Sequence, residues 1–296
     1  MAWRYWVVIV FVGCIFGSSF LLLEVVMREL RPLTIGGGRA VFAAAACWAF
    51  LLIRRKKIPR DPVLLCKLGL LGVFTYALPF ILAPISQTYI STGLVAIISV
   101  LMPVSTVAIS HFWPGGEKAN RTQLLGVLIG FGGAVVLFAP ALSNGSPSQL
   151  WAMMLTLFTT LLFAVSFNIS RSFAAVDPSV IATFALTGAA LVAAPAGLIV
   201  DGWPHIGLMS TLPAWLWLGV FPTAMNFQIM YFLLPRIGAT NFSINAFITP
   251  IVAVVLGVTL LGERVLPIQL AGMATIFIGL IVMDGRLLRR LVPASA

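Results

Sequence analysis

The sequence predicts an all-α membrane protein of ten transmembrane helices, arranged as two inverted five-helix repeats. Three observations carry that prediction. First, 60% of the 296 residues are hydrophobic, only 9% are charged, and the mean hydropathy is +1.09. A soluble domain carries about a quarter charged residues, so this chain lacks the polar side chains to cover a water-facing surface. Second, the apolar residues gather in stretches of about 20, the length at which a helix crosses a ~30 Å hydrocarbon core. The shorter alternating segments of a β-barrel are absent. Third, motifs recur at one offset. Pro250 follows Pro103 by 147 positions (250 − 103), and "FAVSF" at 163–167 follows "FGSSF" at 16–20 by the same distance.

In chain order the spans fall at about 5–27, 33–53, 63–84, 91–112, 122–140, 149–173, 178–200, 212–234, 239–261 and 266–284. The first is too long for a signal h-region and runs into the charged "EVVMRELR" rather than a small-residue cleavage site, so it reads as a span. The fourth and ninth carry Pro103 and Pro250 near their middles. Each proline removes a backbone donor and bends its helix, marking a pair of hinges. The fifth and tenth carry Gly126 and Gly133, and Gly272 and Gly279. Glycines seven apart share one helix face, where small residues let helices approach closely. The connections are short. The first repeat covers 1–140, an outer linker 141–148, and the second repeat 149–296 with a short cytoplasmic tail. Five spans is an odd number, so the second repeat enters the membrane from the opposite side.

Orientation follows from Lys and Arg. With the N-terminus cytoplasmic, cytoplasmic segments hold fourteen of the eighteen basic residues, including the run "RRKKIPR", and outer segments hold Arg28, Arg31 and Arg264. Arg39 lies inside the second span. Both termini are then cytoplasmic. The net charge of +10 marks no nucleic-acid surface, because no soluble domain gathers it. Cys14, Cys47 and Cys66 stand far apart, with no CxxC or His/Cys cluster, so neither a disulfide framework nor a metal site is indicated. The eight acidic residues do not cluster with a histidine near mid-membrane, which counts against a polytopic membrane enzyme. No cofactor is expected. The partners expected are a small-molecule substrate and membrane lipid, with the chain a monomer.

The repeat is clearest after the prolines. "GEKANRTQLLGVLIGFGG" from 116 and "GERVLPIQLAGMATIFIG" from 262 agree at seven of eighteen positions. Gly262 and Glu263 read as a helix-ending glycine and a polar residue in a tight turn. The pattern P…GE…Q…G…G stands at Pro103, Glu117, Gln123, Gly126 and Gly133, and again at Pro250, Glu263, Gln269, Gly272 and Gly279. On these residues, with "FGSSF" and "RAVFAAA", the chain resembles the drug/metabolite transporter superfamily in its ten-helix EamA-type branch. Within that branch it is most similar to bacterial aromatic amino acid exporters. The resemblance implies a bacterial inner-membrane protein that exports amino acids or other small metabolites. The first half departs from the family's pattern, with "WPGGE" where one glycine usually precedes the glutamate.

Inverted repeats are the architecture of secondary transporters, with the substrate bound near the midplane between halves. A cavity for a small amphipathic solute needs aromatic walls and a few uncharged polar groups. The candidates are Ser19, Tyr76, Phe80, Ser99, Phe163, Ser166, Asn226, Phe227 and Asn245, with Ser18, Thr223 and Asn241 beside them. Glu24 lies near the outer end of the first span and Arg39 about two turns into the second from the same side. Pairing would make both tolerable, as a structural element or an outer gate. No span carries a carboxylate near its middle, so facilitated uniport is the expected mechanism. Proton-coupled export of drugs or other metabolites is the alternative.

Overall fold

The computed structural model describes residues 3–114, 116–143, 146–207, 211–229, 233 and 245–285. All regular structure among the described residues is helical. Helix α1 covers Trp3–Met27 and α2 Pro32–Ile53. The third span is α3 (Pro62–Gly72), a π-helical turn (Val73–Ala77) and α4 (Leu78–Gln87). The fourth is α5 (Thr92–Ser99) and α6 (Leu101–Phe112). Then come α7 (Arg121–Ser143), α8 (Pro147–Ser170) and α9 (Pro178–Val200). The eighth span comprises α10 (Thr211–Gly219), a π-helical turn (Val220–Met225) and a helical continuation over 226–229. Finally α11 covers Asn245–Leu261 and α12 Pro267–Asp284.

Among the described residues, eight helical stretches are long and apolar enough to cross a membrane, and α11 adds a shorter apolar helix. The remainder of the expected eighth and ninth spans, with Asn241, lies outside the described residues.

The sequence sets the helix starts. Proline occupies the first turn of α2, α3, α8, α9 and α12, where its missing N–H costs nothing. Asp61, Ser146 and Asp177 cap their own helices by accepting from Val63, Gln149 and Ser179 N–H. Gly262 (φ +68°) closes α11 in the left-handed conformation, as the sequence predicts.

Glycine then sets the packing. Gly126 faces Gly279 and Gly133 faces Gly272, so α7 and α12 lie antiparallel with their backbones touching. A Cβ on Gly279 would stand 2.6 Å from the Gly130 nitrogen. Helices α2 and α9 pack the same way through Gly37 and Gly197, and Trp48 Nε1 donates to Thr187 Oγ1 at 3.0 Å across that seam.

Proline interrupts the helices unequally. Pro103 withholds the N–H that Ser99 O would accept, and the fourth span breaks at Val100. Helix α11 runs unbroken through Pro250. The two π-helical turns begin at Val73 and Val220, again 147 positions apart. Each lies beside a proline: Pro79 follows the first and Pro222 sits in the second. Pro222 withholds the donor that Leu218 O would accept, and Thr223 Oγ1 donates to that carbonyl at 2.9 Å instead. The ladder is thus repaired by a side chain, as membrane burial demands.

Candidate functional site

The π-helical turns carry the site. Tyr76 lies in the first, with Phe80 one turn on. Thr223 lies in the second, with Phe227 one turn on. These two pairs are themselves 147 positions apart. Tyr76 packs edge-on against Phe227, ring centroids 5.0 Å apart, and against Phe80 at 5.7 Å. Phe163 of α8 joins the same apolar cluster. Tyr76 and Phe80 are each only 4% exposed, so the expected central space is closed by rings meeting from the third, sixth and eighth spans.

Arg39 enters this cluster, and here the structure corrects the sequence reading. The expected Glu24–Arg39 pair does not form. Arg39 Nε donates to Thr223 Oγ1 at 3.0 Å, and its guanidinium lies over the Phe80 ring, 4.2 Å from the centroid. Glu24 instead accepts from Gln87 Nε2 at 3.4 Å. Depth along neighbouring helices suggested the pairing, but depth does not fix azimuth. Arg39 faces the third and eighth spans, whereas Glu24 faces the turn between α4 and α5.

The other polar candidates divide. Ser19 donates to Phe16 O and Ser99 to Val95 O, so both hydroxyls are spent on their own helices. Ser166 Oγ, Asn226 Oδ1 and Asn245 Oδ1 are buried atoms without a hydrogen bond among the described residues. Asn245 stands against α1, its Oδ1 2.8 Å from where a Cβ on Gly13 would be. Ser166 and Asn226 lie on the sixth and eighth spans near Phe163 and Phe227. The sequence reading passed over Gln87, which donates to Phe20 O and Thr92 Oγ1 as well as to Glu24. Its position at the end of an apolar helix was the available signal.

The Gly-Glu turns also do more than join helices, and they differ. The Glu263 carboxylate accepts from Thr92 N at 2.7 Å and Gly93 N at 3.0 Å, while Ser91 Oγ accepts from Leu94 N. The orphan donors of α5 are thereby met, one carboxylate reaching them from the other half of the chain. Gly257 makes this possible, because a Cβ there would stand 2.6 Å from Glu263 Oε2. The residue 147 positions before Gly257 is Ser110. Its Oγ fills that place and accepts from Glu117 N at 3.2 Å. The Glu117 side chain, 86% exposed, faces Arg171 Nη1 at 3.8 Å. An open recess of about 280 Å³ lies beside Glu263, lined by Glu24, Arg28, Gln87 and Ser91 among others.

At the end of the bundle that holds Glu117, Lys56 Nζ binds Asp177 Oδ2 at 2.6 Å. Partial burial pushes the Asp177 carboxyl up, but the hydrogen bonds from Lys56 and Ser179, with the Lys56 charge, outweigh it and hold the carboxyl below the usual range. The opposite end holds Asp201, which accepts from Thr34 N at 2.8 Å and Thr34 Oγ1 at 3.0 Å.

A bundle of apolar, membrane-length helices closing on a small aromatic and polar centre defines a polytopic membrane protein. The chain belongs to the EamA-like transporter family, whose model matches it twice, over residues 4–139 and 150–283. It is similar to an uncharacterized transporter of Archaeoglobus fulgidus, 22% identical over 94% of this chain and 98% of that one. The uncharacterized inner membrane transporter YedA of Escherichia coli K12 is 22% identical over 91% of this chain and 87% of its own. A Salmonella typhimurium protein named "Probable amino-acid metabolite efflux pump" is 25% identical over 90% of each. A solved crystal structure with 22% identity superposes with a TM-score of 0.69 over 97% of this chain and 98% of its own, which shows the shared fold.

Proposed function

We propose that the protein is a secondary transporter of the bacterial inner membrane that exports small amphipathic metabolites, amino acids with aromatic or other hydrophobic side chains foremost. It works by alternating access between two inverted five-helix repeats, 1–140 and 149–296, joined by an outer linker at 141–148, and carries no catalytic machinery. Both termini are cytoplasmic. One observation carries this reading. The pairs Tyr76/Phe80 and Thr223/Phe227, equivalent under the 147-position offset, converge on one closed cluster through two π-helical turns. Such turns are frequent at functional sites, because they are local weak points in a helix. Pro103 adds a hinge where the fourth span is broken. The repeated match to the family model and the Salmonella relative's name support export of amino-acid metabolites.

Gradient-driven uniport is the first mechanism. A specific observation favours a second, proton-coupled export: Glu24 is not paired with Arg39 and accepts from Gln87 Nε2 instead. Counterflow of labelled L-phenylalanine into vesicles, with pH gradient and potential collapsed, tests both. Uniport predicts that counterflow survives and that an imposed pH gradient drives no accumulation. Accumulation that vanishes in Glu24→Gln establishes the proton-coupled mechanism. No flux of any amino acid sinks the proposal.

A further inference from the structure

We propose that Arg39 is the anion receptor of the central site and that the transported solute bears a carboxylate. This rests on the transport reading and narrows its substrate class.

Arg39 lies seven residues beyond Pro32, roughly 10 Å along the helix from the start of α2. It is 9% exposed. A cation at that position in a membrane span needs a compensating group. Among the described residues it has no ion pair, and its one hydrogen bond is Nε to Thr223 Oγ1. The Phe80 ring covers one side of the cation. A ring face and a hydroxyl do not neutralise a charge. The guanidinium donors lie in its plane, and with Nε taken the two Nη groups remain. That pair is the part of the fork that grips a carboxylate end-on through two parallel bonds.

The surroundings select the rest of the ligand. Tyr76, Phe80, Phe163 and Phe227 supply aromatic surface beside the cation. Asn226, whose Oδ1 has no hydrogen bond among the described residues, lies three residues beyond Thr223. The class that fits is a monocarboxylate with an apolar or aromatic body. Thr223 is a positioning residue: Pro222 orphans the Leu218 carbonyl, the Thr223 hydroxyl donates to it, and that leaves the oxygen's lone pairs to receive Arg39 Nε. One local defect in the eighth span thus aims the arginine.

The test uses purified full-length protein in detergent and matched pairs of probes. These are L-phenylalanine with L-phenylalaninamide, and 3-phenylpropanoate with 3-phenylpropanamide. The acids should raise the melting temperature and the amides should not. Arg39→Gln should weaken acid binding about thirtyfold or more, the fold-change of ~2 kcal/mol expected on truncating one partner of a buried charge pair. Its ligand-free melting temperature should match or exceed the native value, because an unneutralised buried cation is removed. Arg39→Lys should keep a weakened response to the acids. Equal binding of acids and amides, an unchanged response in Arg39→Gln, or no response of the native protein to either acid overturns the assignment. A ligand-free Arg39→Gln protein that melts well below native also overturns it, by showing a structural arginine. Vesicle flux is read separately. Acids that bind without flux sink the transport reading and leave the receptor. Flux of an amine or amide without acid binding does the reverse.

Discussion

Gly257→Ala tests whether Glu263 holds the bundle closed at its end. The added Cβ would stand 2.6 Å from Glu263 Oε2 and 3.1 Å from its Cδ, so the carboxylate must leave. Leaving breaks its bonds to Thr92 N and Gly93 N. A hydrogen bond to a charged group is worth about 1.5–3 kcal/mol, so two bonds bound the loss at about 3–6 kcal/mol. Glu263 is half-buried beside an open recess, and water recovers part of this once it is displaced. Alanine also favours the helix over glycine by about 1 kcal/mol. The net expectation is a destabilisation of about 1–3 kcal/mol, with faster amide exchange in the segment 91–95. The decisive comparison is a double-mutant cycle with Glu263→Ala. Once the carboxylate is gone, Gly257→Ala should be neutral or mildly stabilising. If it costs the same with and without Glu263, or if exchange at 91–95 is unchanged, the carboxylate cap is not what Gly257 serves.

Three further outcomes are expected. Arg171→Ala should cost about 1 kcal/mol or less, since its 3.8 Å pair with Glu117 is solvent-exposed and screened and its Nη1 makes one further hydrogen bond, to Ser110 Oγ at 3.3 Å. Gly279→Val should cost about 1–3 kcal/mol or more, because its Cβ meets backbone at Gly126 and Gly130. Gly132→Val, with nothing within 4 Å, should be tolerated, and urea unfolding of both reads the difference. Asp177→Asn should destabilise at neutral pH and converge with the native protein in acid. The folded carboxyl is depressed, so its contribution is complete above the unfolded value of about 3.9 and is lost as pH falls through the folded one. A melting difference that persists unchanged in acid would refute the Lys56 pairing as its source.

Much of this was legible in the sequence because membrane burial enforces simple rules. Span ends followed apolar length, and the glycines seven apart marked helix faces for close approach, though only the fold paired α7 with α12. The aromatic centre was also readable, since Tyr76 and Phe80 lie one turn apart, as do Thr223 and Phe227. Azimuth was not readable. Glu24 and Arg39 sit at comparable depths on neighbouring helices, yet rotation about the two axes turns them to different partners. The π-helical turns were equally hidden. A proline announces that one backbone bond is lost but does not say how the ladder heals, and Thr223 could be assigned its role only once its hydroxyl was seen on Leu218 O. Glu263 was read as a local turn residue because the donors it caps, on Thr92 and Gly93, lie 171 and 170 positions away.

The unequal behaviour of the two Gly-Glu turns bears on mechanism. Their sequences match, but their neighbours do not. Glycine at 257 leaves a notch that admits a carboxylate, and serine at 110 fills the corresponding place and takes the Glu117 amide. One glutamate therefore ties the two halves together by capping a helix across the repeat boundary. The other lies in solvent against a single arginine. Under the proposed alternating-access mechanism, the site opens to one side only when the interhalf ties at that end are released; here the Lys56–Asp177 pair and the Glu263 cap are both made, and the site is closed. A chain with two identical caps would balance its two closed ends evenly. Here the cap chemistry is asymmetric by sequence: of the two Gly-Glu turns, Glu263 caps a helix of the other half, whereas the Glu117 end is tied by Lys56–Asp177 and by Arg171 on Ser110 Oγ. For the exporter proposed, that asymmetry has a use. With both termini cytoplasmic, as proposed, the Glu263 cap would hold the outer side shut in the empty carrier, and solute binding at the aromatic centre would have to supply the energy that releases it.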